Sequence, residues 1–161
     1  STKNSLSFAI AVLFNIKKSQ PTSYSNIKMA SRRTPQIILP HLSWSLARLK
    51  EALEKEDTEY YRGAALQRFR LTYEVALKAI HSFAEQEGKI FCSDKSCFQW
   101  TEEKQWLKKK SDCISMIQNY NKLKSLSGEK FRNNIYNQLQ SHYDLLVYMK
   151  ESMSIALNKK I

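Results

Sequence analysis

Three cysteines, three histidines and a scatter of carboxylates are the side chains here that could do covalent or metal chemistry. Zinc needs Cys or His ligands at close spacing. Cys92 and Cys97 are separated by four residues, Cys113 lies well beyond them, and no histidine is near. They read as small buried or surface thiols. Three is also too few, and odd, for a disulfide framework, which favours a reducing compartment. His41 falls at an expected helix start, His81 beside Ile80, and His142 on an apolar stripe. Each reads as a core or interface residue. No phosphate-binding glycine loop, dinucleotide fingerprint or H-E-x-x-H pattern occurs. The carboxylates sit near bases, as in Glu51, Glu54 and Lys55 or Glu102, Glu103 and Lys104, which suits solvated helix faces. No catalytic residue, metal site or cofactor is therefore expected. What remains is a basic group, Lys104, Lys108 to Lys110, Lys122 and Lys124, with Tyr60, Tyr61, Trp100, Trp106 and Tyr120 as stacking surfaces. That combination could meet RNA or nucleotide phosphates.

The elements that position these residues follow from composition and period. The chain has 161 residues, 42% apolar and 25% charged, enough for one domain with a real core. With 3 Gly and 3 Pro it has too few breakers for an all-β chain of many tight turns. The net charge of +11 invites a nucleic-acid reading, but it is unevenly spread. Eight of the 26 bases and none of the 15 acids lie in residues 1–50. The rest of the chain is thus only mildly basic. Residues 1–39 also lack acids and are rich in Ser and Asn, so they are expected to form a basic, weakly ordered N-terminal extension, with a helical domain over 40–161. The apolar run Phe8–Phe14 is far shorter than the roughly 20 residues of a membrane helix. A short leader, or an alternative start at Met29, is compatible with this stretch. The expectation is a cytoplasmic protein without a membrane span.

From residue 41 the apolar period is helical. Leu42, Leu46, Leu49 and Leu53 make one stripe, with Pro40 placed to start it. Trp44 lies off that stripe, as if facing another element. Asp57 and Thr58 can cap a second helix. Its stripe is Leu66, Phe69, Tyr73, Leu77, Ile80 and Ala84, and Gly88 offers a left-handed stop. Gly63 near its start either frays the helix or permits a close approach. Ser93-Asp94 starts a short helix with Cys97, Phe98 and Trp100, and Asp112 precedes another over Ile114 to Leu123. A last helix is expected from Phe131 to about Asn158 through Ile135, Leu139, His142, Leu146, Met149 and Met153. No segment alternates as a strand. The pattern predicts an all-α, up-and-down four-helix bundle with an extra short helix.

One stretch is more specific than composition. The stretch from Gly63 to Ile80, within a helix expected over about 58–87, resembles the signature helix of the nucleotidyltransferase substrate-binding family, small all-helical proteins of the HEPN type similar to the C-terminal domain of kanamycin nucleotidyltransferase. Gly63, Gln67, Arg68, Phe69, Thr72, Glu74 and Ala76 match the pattern. Tyr73 stands for a Phe, Arg70 replaces an acid, Leu77 replaces Trp, and Lys78 keeps the base. Fainter likeness covers about residues 41–150. The resemblance implies a dimeric four- or five-helix bundle that binds a separate small nucleotidyltransferase, in pairs that look like toxin–antitoxin modules. Some HEPN members are ribonucleases with an R-x(4–6)-H motif. At that point this chain departs: Tyr120-Asn121 stands where the family has Arg-Asn, and the His position falls near Ser125. A metal-independent ribonuclease needs a group titrating near neutrality and a cation for the phosphate. Tyr and Ser supply neither.

The resulting expectation is a homodimeric, non-catalytic substrate-binding subunit of a minimal nucleotidyltransferase. Its contacts to partner or ligand are expected from Gln67, Arg68, Glu74, Lys78, Tyr120 and Asn121. The alternative is an RNA-binding module or a degenerate HEPN ribonuclease toxin.

Overall fold

The computed structural model describes residues 34–108, 111–125 and 128–159. The expected N-terminal extension falls mostly on residues 1–33, and the Lys108–Lys110 run partly on 109 and 110; both lie outside the described residues. The described residues are helical, with six α-helices and no strand among them. In chain order these are α1 Pro35–Leu53, α2 Glu59–Gln86, α3 Asp94–Glu103, α4 Cys113–Lys124, α5 Arg132–Tyr136 and α6 Leu139–Lys159, with a 3-10 turn at Gly128–Phe131 before α5.

The leucine stripe of α1 is buried at Leu42, Leu46 and Leu49, and the helix extends it upstream with Ile38 and Leu39. The start is therefore earlier than expected. Pro35 takes the first helical position, where its fixed φ and missing N–H cost nothing, and Pro40 lies inside the helix. Trp44 does not face another element. It is 67% exposed, with the Arg48 guanidinium 5.7 Å from its ring.

The 28 residues of α2 make a rod about 42 Å long at 1.5 Å per residue. Its N-cap is Thr58, whose hydroxyl accepts from the Tyr61 N–H at 3.2 Å. At the far end Gly88 takes φ 71°, the Gly88 N–H donates to Glu85 O, and the Lys89 N–H donates to Ala84 O. These paired bonds satisfy carbonyls that a helix end leaves orphaned. Helix α3 ends the same way around Gln105, a non-glycine at φ 63°. Its N-cap is Ser93, and that of α4 is Asp112.

The core is one cluster in which α2 is central. Helix α1 lies along it, and α3, α4, α5 and α6 all touch it. Phe69, Tyr73, Ala76, Ala79 and Ile80 are fully buried on its inward side. A hydroxyl pair ties α1 to α2: Ser45 Oγ and Thr72 Oγ1 are 2.7 Å apart, and both residues are buried. At Gly63 the neighbour is a side-chain tip rather than a helix backbone. A Cβ there would stand 3.1 Å from Arg132 Nη2 on α5.

The expected last helix is two. The stripe from Phe131 to Met153 is interrupted at Asn137 and Gln138. The Gln138 N–H bonds back to Ile135 O, three residues away, and the Gln138 side-chain amide donates to Asn134 O at 3.2 Å. The chain thus tightens, caps and restarts. Ile135 and Leu139 stay buried across the break, so the stripe's period survived although the helix did not.

Candidate functional site

Helices turn about 100° per residue, so Tyr60, Gln67, Leu71, Glu74 and Lys78 share one side of α2. That side is open. Tyr60 is 77% and Leu71 49% exposed, Gln67 and Lys78 are exposed, and Glu74 is half-buried.

At the middle of this face α4 comes alongside. The Tyr120 ring stacks on Tyr73, centroids 4.0 Å apart and planes 17° from parallel. Their hydroxyls go to different carboxylates. Tyr120 donates to Glu74 Oε2 at 2.7 Å, and Tyr73 donates to Asp94 Oδ2, in the first turn of α3, at 2.8 Å. Burial, reinforced by those acceptors, pushes both phenols above their ordinary range. They therefore remain donors at any physiological pH. Arg70 bears on the same spot: its charge opposes the upward shift of Tyr120. Arg70 Nε is buried and has no hydrogen-bond partner, an arrangement that costs free energy until something meets the donor. The Lys124 ammonium stands 4.9 Å from the Tyr120 ring centre.

A second polar cluster lies inside the core. Asn119 Nδ2 is 2.8 Å from His142 Nε2 and donates to Gln138 Oε1 at 3.1 Å, and Ser115 Oγ donates to that same oxygen at 3.0 Å. The atom facing the ring is the Asn119 amide nitrogen, which can only donate, so His142 Nε2 accepts and the imidazole is neutral. Its ring stacks on Phe69 at 5.4 Å. Burial lowers its pKa to about 4. This group holds α4 to α6, with Asn119 and His142 buried and Ser115 and Gln138 half-buried.

Two of the three thiols are inert by environment. Burial pushes Cys97 and Cys113 up to about 12. Cys97 Sγ lies 3.4 Å from His81 Nε2. Desolvation drives the cysteine up and the histidine down, so both favour their neutral forms rather than a thiolate–imidazolium pair. Among the described residues no group of three or more His, Cys, Asp or Glu could hold a metal ion. No described helix is long and apolar enough to cross a membrane.

The sequence-predicted residues thus divide. Glu74 and Tyr120 meet directly. Gln67 and Lys78 flank them on the same face of α2. Arg68 does not join them: it points to α1, where Nη1 donates to the Arg48 carbonyl at 3.0 Å. Asn121 is exposed on α4. Three members of the cluster escaped sequence reasoning. Tyr73 was read only as core, Asp94 only as the start of a helix, and Arg70 only as a departure from a motif. The signal for Arg70 was its spacing: four residues before Glu74, it falls on the same side of α2.

No family model matches the chain, and no curated protein matches it in sequence. Its fold is similar to that of a crystallised protein of Thermus thermophilus, at 25% identity and a TM-score of 0.62, over 70% of this chain and 98% of that one.

Proposed function

We propose that this chain is a non-catalytic binding subunit of the nucleotidyltransferase substrate-binding, HEPN-like type. It works as an up-and-down helical bundle, pairs with a second copy of itself, and holds a separate small nucleotidyltransferase. The observation that carries the reading is how the signature residues divide on α2. Phe69, Thr72 and Ala76 are buried and build the core, while Gln67 is exposed and Glu74 half-exposed beside Lys78. Packing alone would not call for the second set.

The role is positioning rather than bond making. A partner enzyme would bring the nucleotide chemistry, and this chain would shape the side from which the acceptor enters. Holding two reactants in register is itself worth several kcal/mol of barrier. The Tyr120–Glu74 bond fixes one carboxylate on the open face, and the Tyr73–Asp94 bond fixes the ring on which Tyr120 rests. Among the groups that could attack or shuttle protons, Cys97, Cys113 and His142 are held buried in neutral forms. The test is co-expression with the product of the adjacent reading frame. A tagged form of this chain should retain a nucleotidyltransferase through purification, and Gln67→Ala with Lys78→Ala should release it. Failure of any such enzyme to co-purify would refute the reading.

A further inference from the structure

The open side of α2 continues onto a surface that the subunit reading does not use. Arg132 Nη2 approaches Gly63 to within 3.1 Å of a Cβ position, which sets α5 beside the first half of α2. The Tyr120–Glu74 bond sets α4 beside its middle. Between them, the Phe131 ring carries the Lys122 ammonium at 4.7 Å and that of Lys130 at 5.9 Å. Lys124 rests on Tyr120 at 4.9 Å. Three ammonium groups from two elements are therefore placed by aromatic rings rather than by carboxylates. Among the described residues none of the three has an ion-pair partner within 4 Å.

Glu59 lines a cleft with Arg62 and Arg132 beside this surface, and two other acids are engaged. Glu74 accepts from Tyr120, and Asp57 is taken by Arg62, whose Nη2 donates to Asp57 Oδ2 at 3.0 Å. The helix dipole accounts for Lys122 and Lys124 in the last turn of α4. It does not account for Lys130, nor for Arg70 with its buried, unmet Nε. An ammonium held on a ring face keeps its full charge and its N–H donors for a partner, at a modest attraction of about 0.5–1 kcal/mol. At the head of the same side of α2, Tyr60 offers a ring that is 77% exposed.

We infer that the surface formed by Arg70, Lys122, Lys124 and Lys130, with Tyr60 at its edge, binds single-stranded nucleic acid through its phosphates without reading base sequence. The cations supply counterion release, and the exposed ring supplies a base-stacking platform indifferent to the base. A duplex would not offer Tyr60 an unstacked base. This inference stands apart from the subunit reading, since it needs no second enzyme.

The test is fluorescence anisotropy of the purified full chain with a labelled twelve-nucleotide oligouridine, titrated at several salt concentrations. Binding should weaken with salt at a log–log slope of about −0.7 for each phosphate neutralised, or about −2 to −3 for three or four cations. The triple variant Lys122→Gln, Lys124→Gln, Lys130→Gln should flatten the slope by about 2 and lose at least about tenfold in affinity at 100 mM salt. Tyr60→Ala should cost about tenfold while keeping the slope. Lys50→Gln with Lys55→Gln, elsewhere on the surface, should change neither, and circular dichroism should show all variants folded. No binding at 50 mM salt overturns the inference. So does a triple variant, folded by circular dichroism, that binds like the parent, or a duplex of equal length bound as tightly as the single strand.

Discussion

Protonation of His142 should be the main source of pH-dependent stability between pH 7 and 5. The imidazole is 3% exposed, stacked on Phe69, and accepts from the Asn119 amide N–H. Adding a proton would place two donors face to face in the core. Burial therefore lowers its pKa to about 4, against an ordinary value of 6.5. Between those values the unfolded chain binds the proton and the folded chain does not. Stability is thus fully present above about pH 6.5 and falls as pH drops toward 4. At 1.36 kcal/mol per pH unit the whole effect is about 3 kcal/mol, of which about 2 falls between pH 6.5 and 5, before most carboxylates titrate. Urea unfolding followed by tryptophan fluorescence at pH 7, 6 and 5 measures it. His142→Gln will be less stable at every pH, so the slope is the readout, and it should fall to the smaller remainder that His81, whose pKa burial also lowers, contributes over this range. A parent protein with a flat profile, or a variant that keeps the slope, would refute the assignment of His142 as a buried neutral acceptor.

Other consequences are simpler to measure. Thr72→Val keeps the shape of a fully buried residue but strips Ser45 of its 2.7 Å partner, so it should lower unfolding free energy by about 1–3 kcal/mol in denaturant titrations. Gly63→Ala gains up to about 1 kcal/mol of helix propensity against a contact that is only the tip of the Arg132 side chain; the melting temperature should rise. Titration with an aromatic disulfide reagent at pH 8 should modify one thiol rapidly, the exposed Cys92, while Cys97 and Cys113 react only on unfolding; two fast thiols would contradict their burial.

The sequence was most legible where a single helix buries one stripe. The period of α2, its Thr58 cap and its Gly88 stop could each be read from local chemistry, because caps and left-handed glycines act within a few residues. The start of α1 was misplaced because Pro40 resembles a starting proline, and Pro35 fills that role instead. The break at Asn137 was invisible because Ile135 and Leu139 keep helical spacing across it. The candidate site was half legible. A motif could point to Glu74 and Tyr120 separately. Their meeting depends on α4 returning to α2 over 46 residues of chain, which no local pattern encodes. Asp94 was missed for the same reason: its bond to Tyr73 is a tertiary fact. Arg68, a motif match, braces α1 instead.

The most direct measurement of the central claim is the mass of the particle in solution. Multi-angle light scattering on the purified chain, alone and mixed with the product of the adjacent reading frame, reads both parts at once. A dimer alone and a larger, stoichiometric assembly after mixing is the predicted result. A neighbouring product that is no nucleotidyltransferase, or a chain that elutes unchanged in its presence, would contradict the proposed role.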